Sequence, residues 1–384
     1  MQKIFWINCL ILVAVALNLR LPITMIGPLV EEIKTFYGIG SSMAGFLNAI
    51  PVICFGSIAF VVGFFSGRKA MLVALILMIV GILMRSYGGI YGLFAGMAIL
   101  GGGIAVANVL LPSFVKEKFP HKVTSMMSLY SLVLNISTIF GIFIALPLFA
   151  KIGLQHTLGF CAIFSVIAIF LYMPQIKNHR ISRHAQKIPL KKNLFINPSA
   201  WKITLFMGLQ STMAYSTFAW YASIIASLGY SQHYGSQMLL FSQIIAAPVA
   251  LFGPLFYGYL RDKWRIYYMA ILCGLYVIGY GILLFSGSKI ALYISAIALG
   301  IPMGGVFGIA LLFISIKSQN TQIAAKLSSM AQGFGYIIAS MGPCLVGICN
   351  DFFGEFWEGI ILLLCVAVAL NIMGILAYKS KMIA

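Results

Sequence analysis

The chain has 384 residues, of which 61% are hydrophobic and 8% charged, and its formal net charge is +18. Ordinary soluble domains are about 25% charged, so this composition excludes a soluble fold. A membrane-spanning helix needs about 20 mostly apolar residues, and the chain is long enough for about twelve such helices with their loops. The sequence therefore predicts an all-α protein that lies almost entirely within a membrane.

Apolar runs bounded by charged residues, proline or glycine predict two sets of six helices. The first set spans residues 4–30, 41–66, 70–87, 89–115, 122–150 and 153–174. The second set spans residues 200–228, 234–260, 265–287, 289–316, 323–350 and 355–378. We therefore predict an N-terminal six-helix bundle over residues 1–174, a basic cytoplasmic linker over residues 175–199 and a C-terminal six-helix bundle over residues 200–384.

Two short motifs recur in the same order in the two predicted bundles. The motif P-V-x-x-F-G occurs at residues 51–56 and again at residues 248–253. Further along, a Lys, Ser, Met pattern occurs at Lys122, Ser125 and Met126 and again at Lys326, Ser329 and Met330. Repeats in the same order are typical of transporters built from two parallel halves, so we expect two pseudo-symmetric bundles.

Lysine and arginine are distributed unevenly between the two faces of the predicted membrane. With a cytoplasmic N-terminus, twenty of the 25 basic residues fall in inside segments, and Lys34, Arg85, Lys151 and Lys289 fall outside. Cytoplasmic segments of membrane proteins carry an excess of basic residues. The sequence predicts a multi-pass protein of the bacterial inner membrane with both termini in the cytoplasm. The lipid bilayer, not nucleic acid, accounts for the positive charge.

Arg20 is the basic residue that membrane topology does not explain, because it lies within the first predicted helix. A charge at that depth costs roughly 2.5 to 3.5 kcal/mol on insertion scales. In one interpretation, Arg20 extends to the outer headgroups or pairs with a backbone carbonyl. In the other, it anchors an anionic solute, since guanidinium stays protonated and pairs with two acceptors at once.

Polar residues form faces on the predicted helices 7 and 11. Gln210, Thr217 and Tyr221 share one face of helix 7, and Gln332 and Tyr336 share one face of helix 11. Such faces line a cavity or bond to a neighbouring helix, and both uses need the same residue types. Asn108, within an apolar run of helix 4, has the same two interpretations.

The turn between the predicted helices 8 and 9 combines one acid with several bases. Asp262 lies beside Arg261, Lys263 and Arg265 in the sequence G-Y-L-R-D-K-W-R. In one interpretation, Asp262 and Arg265 form a gating pair that holds one conformation closed. In the other, the turn is an ordinary basic cytoplasmic loop. The corresponding loop at residues 63–69 lacks the acid.

Several motifs along the chain resemble the cyanate and nitroimidazole transporter family of the major facilitator superfamily. The motifs are Asn18-Leu19-Arg20 with Pro22, Gly27-Pro28-Leu29, residues 103–112 with Asn108, Gly208-Leu209-Gln210-Ser211 with Tyr215 and Trp220, residues 327–332, Gly335-Tyr336 and Gly342-Pro343. The resemblance implies a twelve-helix fold and alternating-access transport of a small polar or anionic solute. The family follows its helix 7 tryptophan with Leu-Pro, whereas this chain has Tyr221-Ala222, so the geometry of the pocket is expected to differ.

The leading hypothesis is a secondary transporter in which Arg20 attracts a cyanate-like, nitro-aromatic or organic anion. Tyr215, Trp220 and Tyr336 either stack on a planar solute or pack the bundle. A non-transporting membrane sensor on the same fold is the alternative. The sequence contains no metal-ligand spacing, nucleophile motif or phosphate-binding loop, so we expect no enzyme activity, metal or cofactor. We expect a monomer. The predicted solute-binding residues are Arg20, Asn108, Gln210, Tyr215, Trp220, Gln332 and Tyr336.

Overall fold

The computed structural model describes residues 2–59, 68–119, 122–177, 193–319 and 321–383. The described helices are α1 (Gln2–Asn18), α2 (Leu21–Thr24), α3 (Val30–Tyr37), α4 (Ser41–Ala59), α5 (Arg68–Tyr87), α6 (Gly89–Lys118), α7 (Val123–Phe160), α8 (Ala162–Tyr172), α9 (Pro174–Lys177), α10 (Asn193–Ile196), α11 (Pro198–Ser227), α12 (Gln232–Tyr259), α13 (Asp262–Phe285), α14 (Lys289–Ile316), α15 (Thr321–Phe353) and α16 (Trp357–Tyr378).

Ten segments of the described chain are helical, long enough and apolar enough to cross a membrane. One of them, Leu132–Tyr172, has 41 residues and contains Gly153 at φ 75° and ψ 172°, which breaks the helix. A single crossing needs only about 20 residues, so this segment provides two. Helix α11 has 30 residues, enough to cross a membrane, but it is not apolar enough to be one of the ten. These findings confirm the prediction of an all-α membrane protein.

The chain separates into two compact units. Unit 1 contains Met1–Gly38 and Ile50–Gln186, and unit 2 contains Ile39–Ala49 and Lys187–Ala384. Most of unit 2 comes after unit 1 in the chain. The exception is the beginning of α4, which lies between the two segments of unit 1 in sequence but belongs to unit 2. The bundle limits that we predict at residues 174 and 200 stay predictions, and the centre of the predicted linker, residues 178–192, lies outside the described residues.

The prediction that the first helix is continuous is wrong. Instead of one helix over residues 4–30, α1 ends at Asn18 and α2 covers only Leu21–Thr24. Pro22 explains the break, since proline has no N–H to donate to the preceding turn and its ring clashes with the carbonyl four residues earlier. The hydropathy of the segment stays high across the break, so hydropathy alone does not reveal where the helix breaks.

Helix α3 was not predicted, and it follows from local signals in a segment that we treat as a loop. Glu31 and Glu32 lie in its first turn, where negative charge is favourable to the helix dipole. Gly38 ends the helix with φ 63°, a left-handed conformation that glycine adopts readily. The remaining predicted helices match the structure to within about three residues, with two exceptions. The end of the second, in residues 60–67, lies outside the described chain. The fifth and sixth, predicted over 122–150 and 153–174, meet at the kink of Gly153, so that α7 extends to Phe160 and α8 begins only at Ala162.

Glycine allows close helix contacts inside each unit. In unit 1, a methyl group added to Gly81 would lie 2.7 Å from the carbonyl oxygen of Gly96, so α5 and α6 touch through their backbones. In unit 2, a methyl group added to Gly208 would lie 3.2 Å from the Cα of Gly335. Small residues of this kind let membrane helices approach one another closely. The second contact places the polar faces of α11 and α15 side by side.

Candidate functional site

Arg20 lies at the break between α1 and α2. Its backbone has φ −121° and ψ −43°, outside the helical range, and its side chain is half-buried. Its carbonyl oxygen accepts from the hydroxyl of Thr24 at 3.1 Å and from the N–H groups of Ile23 and Thr24 at 3.0 Å. The backbone at Arg20 is therefore satisfied locally. Discontinuous helices of this kind form solute sites in many transporters.

Ser137 on α7 stabilises the same break from the other side. Its Oγ donates to the carbonyl of Leu17 at 2.6 Å and accepts from the N–H of Leu21 at 2.9 Å. These two backbone groups lose their helical partners at the break, and inside a membrane an unpaired group costs several kcal/mol. One serine therefore lets the chain open at Arg20 without leaving either group unpaired.

Arg85 does not lie where the predicted charge distribution places it. We place it in an outside loop, but it lies in the last turn of α5 and is 0% exposed. Its Nη1 donates to the carbonyl of Pro22 at 2.7 Å, and its Nη2 donates to the carbonyl of Leu158 at 3.0 Å. Both carbonyls lie near the C-terminal ends of helices, Pro22 in α2 and Leu158 in α7. Arg85 is therefore a second intramembrane arginine, and it stabilises two helix ends.

Asn108 lies on α6, half-buried, and bonds to α7. Its Oδ1 accepts from the hydroxyl of Tyr130 at 3.0 Å. The sequence allowed two interpretations of Asn108, lining a cavity or bonding to a neighbouring helix, and this contact is of the second kind.

Two of the three residues of the polar face predicted on α11 bond to neighbouring helices. Thr217 hydrogen-bonds to the hydroxyl of Tyr280 at 2.6 Å, and Tyr221 donates to Ser295 at 3.1 Å. Both residues are fully buried. Their bonds join α11 to α13 and α14, so this part of the face holds the bundle together.

Gln210, on the same helix, keeps one polar atom without a partner in the described part of the chain. Its Nε2 donates to Ser211 at 3.0 Å, whereas its Oε1 is buried and accepts no hydrogen bond. Gln210 is 2% exposed. A buried acceptor of this kind costs about 1 to 3 kcal/mol, so Gln210 is the residue of this face that gains most from a donor on a solute.

The predicted residues of α15 lie close to those of α11. The rings of Tyr215 and Tyr336 meet edge to face, with centroids 6.4 Å apart. Gln332, half-buried, donates through Nε2 to Ser328 at 2.8 Å. The structure thus brings Tyr215 and Tyr336 together within unit 2, on two helices that the contact of Gly208 and Gly335 holds close.

Trp220 is 0% exposed, and its polar group is used within unit 2. Its Nε1 donates to the carbonyl of Pro343 at 2.8 Å, and its ring lies 5.5 Å from that of Phe356. Pro343 lies inside α15. These contacts favour the packing interpretation of Trp220, in which it fixes the position of α15 rather than touching the solute.

The turn between α12 and α13 contains the predicted pair of Asp262 and Arg265. Their Oδ1 and Nη1 are 2.8 Å apart. Arg265 also donates to the carbonyls of Gly258 at 3.0 Å and Tyr257 at 3.3 Å, at the end of α12. The Asp262 side chain is 85% exposed, and such exposed pairs contribute little to stability. Arg265, through its carbonyl contacts, is the residue that holds the turn.

Asp351, near the end of α15, forms a contact that the sequence did not predict. Its two carboxylate oxygens accept from the N–H groups of Ser41 at 2.7 Å and Ser42 at 2.6 Å. Asn350 donates to the hydroxyl of Ser41 at 2.8 Å. The first N–H groups of a helix lack intrahelical partners, so Asp351 caps α4 from a position 310 residues away in the chain.

Replacing Asp351 with asparagine should lower the unfolding free energy by about 1 kcal/mol, the typical value of a helix cap. Asparagine keeps one acceptor oxygen but loses the second, and it loses the charge that strengthens both bonds. Thermal unfolding of the purified protein measures the effect. Glu355→Gln, which removes the same charge from an exposed position nearby, is the matched control. Equal melting temperatures for the two variants would contradict the capping role.

The ten long apolar helices of the described chain define a multi-pass membrane protein. The chain belongs to the Major Facilitator Superfamily, whose family model matches residues 9–343. The expected all-α major facilitator fold is confirmed.

Three relatives match along most of their length. The chain is 31% identical to the uncharacterized transporter YycB of Bacillus subtilis (strain 168) over 376 residues, which cover 96% of this chain and 92% of that protein. It is 30% identical to the 2-nitroimidazole transporter of Escherichia coli (strain K12), with 97% of each chain covered. It is 28% identical to the cyanate transport protein CynX of the same organism, covering 90% and 91%. The resemblance to the cyanate and nitroimidazole transporters is confirmed.

Solved structures show the same fold at low sequence identity. The nucleoside transporter NupG has a TM-score of 0.75 at 14% identity, with 99% of this chain and 100% of that chain covered. The D-xylose-proton symporter has a TM-score of 0.74 at 13% identity, covering 96% and 97%. At this identity the likeness concerns the fold alone.

Proposed function

We propose that this protein moves a small anionic or strongly polar planar solute across the bacterial inner membrane by alternating access. The observation that carries the proposal is Arg20 at a break in a membrane helix. The relatives named for cyanate and for 2-nitroimidazole support this class of solute. All three full-length relatives carry the names of transporters, which favours transport over the sensor hypothesis.

Arg20 is the proposed anion anchor. Guanidinium is charged at every physiological pH and presents parallel N–H groups that match a carboxylate, a nitro group or a linear anion. The backbone of Arg20 is satisfied by Thr24 and Ser137 stabilises the break. The break therefore exists independently of any bond that the guanidinium makes to a solute.

Residues of α11 and α15 are proposed to supply polar and aromatic contacts to the solute. Gln210 supplies an acceptor, Gln332 a second amide, and the adjoining rings of Tyr215 and Tyr336 a surface for a planar solute. Trp220 is proposed to act by positioning α15. Asn108 in unit 1 is proposed to contact the solute through its amide nitrogen.

Both termini are proposed to be cytoplasmic. With Arg85 removed from the outside set, Lys34, Lys151 and Lys289 are the outside basic residues, and the bias toward the inside becomes stronger. This orientation places the turn of Asp262 and Arg265 on the cytoplasmic side, where we propose that it favours the outward-facing state.

Asp262→Asn is expected to shift the conformational distribution of the protein toward the inward-facing state with little effect on stability, because the ion pair is exposed. Arg265→Gln should lower the melting temperature more, since it removes the contacts to the carbonyls of Tyr257 and Gly258. Distances between spin labels on the two sides of the membrane measure the distribution. An unchanged distribution and unchanged transport in Asp262→Asn would refute the gating role.

The proposed function is tested first by ligand binding and then by flux. A thermal-shift screen of the purified protein against cyanate, 2-nitroimidazole and simple aromatic carboxylates identifies a solute that binds. Counterflow of that solute, radiolabelled, into proteoliposomes then separates transport from sensing, because a sensor binds the solute without moving it. Binding without flux above that of empty liposomes would refute the proposal.

A further inference from the structure

A cavity of about 620 Å³ lies at one end of unit 2, where α11 begins and α16 ends. We call it the lysine cavity, because Lys202, Lys379 and Lys381 line it. Lys202 is half-buried, and Lys379 and Lys381 are exposed. Among the described residues, no ion pair involves Lys202, Lys379 or Lys381. The three ammonium groups of the cavity therefore lack a carboxylate partner within the described chain.

The segment that carries two of these lysines is fixed to the rest of unit 2. The N–H of Ile383 donates to the carbonyl of Lys317 at 2.7 Å, and the N–H of Gln319 donates to the carbonyl of Ile383 at 3.0 Å. Lys317 Nζ donates to the carbonyls of Tyr378 at 2.6 Å and Ser380 at 2.7 Å. Burial lowers the pKa of Lys317. Lys379 and Lys381 thus keep their positions beside Lys202 although the segment follows the last helix.

Asp262, the carboxylate that lines a neighbouring cavity within the described chain, is engaged elsewhere. That cavity, of about 400 Å³, is also lined by Arg265, and the two cavities share Met382. Asp262 is paired with Arg265 at 2.8 Å. Three like charges around one cavity repel one another, and a bound anion with several oxygen atoms offsets that repulsion.

Part of the rim of the lysine cavity is apolar. Ile196 is 77% exposed and Met382 is 63% exposed, and both line the cavity. A basic cavity next to exposed apolar side chains at the end of membrane helices matches an amphiphile with an anionic head. Free phosphate would use the lysines but not the apolar rim.

We propose that the lysine cavity binds the phosphate group of an anionic phospholipid, with the lysines on the phosphate and Ile196 and Met382 beside the acyl chains. This site is separate from the solute site, and its occupancy does not depend on transport. On the orientation proposed above, it faces the cytoplasmic leaflet, where basic groups attract anionic lipids.

Native mass spectrometry of the full chain in detergent tests the proposal, with dioctanoyl phosphatidylglycerol, dioctanoyl phosphatidylcholine and inorganic phosphate as probes. We expect Lys379→Gln/Lys381→Gln to bind phosphatidylglycerol roughly thirtyfold more weakly than the unmodified chain, because two lysine contacts are lost. Lys379→Arg/Lys381→Arg should restore binding. Lys151→Gln/Lys289→Gln removes the same charge from exposed positions far from the cavity in the chain and should bind normally.

The outcomes separate the two sources of phosphate. Selective binding of phosphatidylglycerol that only the cavity variant loses supports the lipid site. Displacement by inorganic phosphate at equal concentration, without a preference for the lipid, supports a phosphate site and overturns the lipid assignment. Equal binding of phosphatidylglycerol by the unmodified chain, the cavity variant and the control variant overturns the proposal entirely. Since none of these measurements uses flux, failure here is distinct from failure of the transport proposal.

Discussion

Replacing Arg20 with lysine is expected to weaken solute binding although the positive charge is retained. Lysine lacks the planar arrangement of N–H groups that pairs two acceptors at once. Arg20→Gln should be worse, because it also removes the charge. The loss of a charge-assisted contact of roughly 1.5 to 3 kcal/mol corresponds to about a 10-fold to 150-fold loss of affinity. Isothermal titration with the solute identified by the thermal-shift screen measures the dissociation constants.

Stability must be measured on the same samples, because a structural role for Arg20 predicts the opposite order of effects. The backbone contacts at the break involve Thr24 and Ser137. If the Arg20 side chain acts on the solute, its replacement should hardly change the melting temperature. Lys289→Gln, which removes one exposed basic residue, controls for net charge. Full affinity with a lowered melting temperature in Arg20→Gln would remove the main support for the anion anchor.

Replacing Arg85 with methionine is expected to destabilise the protein strongly. Methionine fills most of the arginine's volume and relieves the cost of burying a charge, but it leaves the carbonyls of Pro22 and Leu158 without their donor. A buried unsatisfied polar group costs about 1 to 3 kcal/mol, so two of them lower the unfolding free energy by roughly 2 to 6 kcal/mol. Thermal and denaturant unfolding of the purified variant measure the loss.

Arg85→Lys gives an intermediate case, because an ammonium group keeps the charge and can bond to one of the two carbonyls but lacks the guanidinium fork. Lys151→Met, at an exposed position on α7, is the matched control and should unfold like the unmodified chain. If Arg85→Met unfolds within one degree of this control, the two carbonyls do not depend on Arg85, and its burial has another cause.

The fold was predictable because hydropathy and charge are properties of the chain itself. The limits predicted for the tenth helix, 289–316, are those observed for α14, since charged or polar residues bound one uninterrupted apolar run. The break at Arg20 was not predicted, because the run continues through it and a single Pro22 is the local signal. Helix α3 carried its signals in Glu31, Glu32 and Gly38, but its length is well below that of a membrane crossing.

The site was predictable only in part, because the partners of each polar residue lie far away in the sequence. Arg85 is near the end of an apolar run and therefore looks like a loop residue, whereas its acceptors are carbonyls on α2 and α7. Likewise, the residue types do not show that Thr217 bonds to Tyr280. Nor do they show that the Oε1 of Gln210 has no hydrogen-bond partner among the described residues. For Asp351, the partner is the start of α4, which no local pattern indicates.

The proposal that Arg20 anchors a transported solute is tested most directly by counterflow into proteoliposomes. The proteoliposomes contain either the unmodified chain or Arg20→Gln, at equal amounts of folded protein, and the solute is the one identified by binding. We predict saturable uptake by the unmodified chain and, for Arg20→Gln, a half-saturating concentration raised about 10-fold to 150-fold, in line with the loss of binding. Uptake by Arg20→Gln with the same half-saturating concentration and the same maximal rate as the unmodified chain would contradict the account.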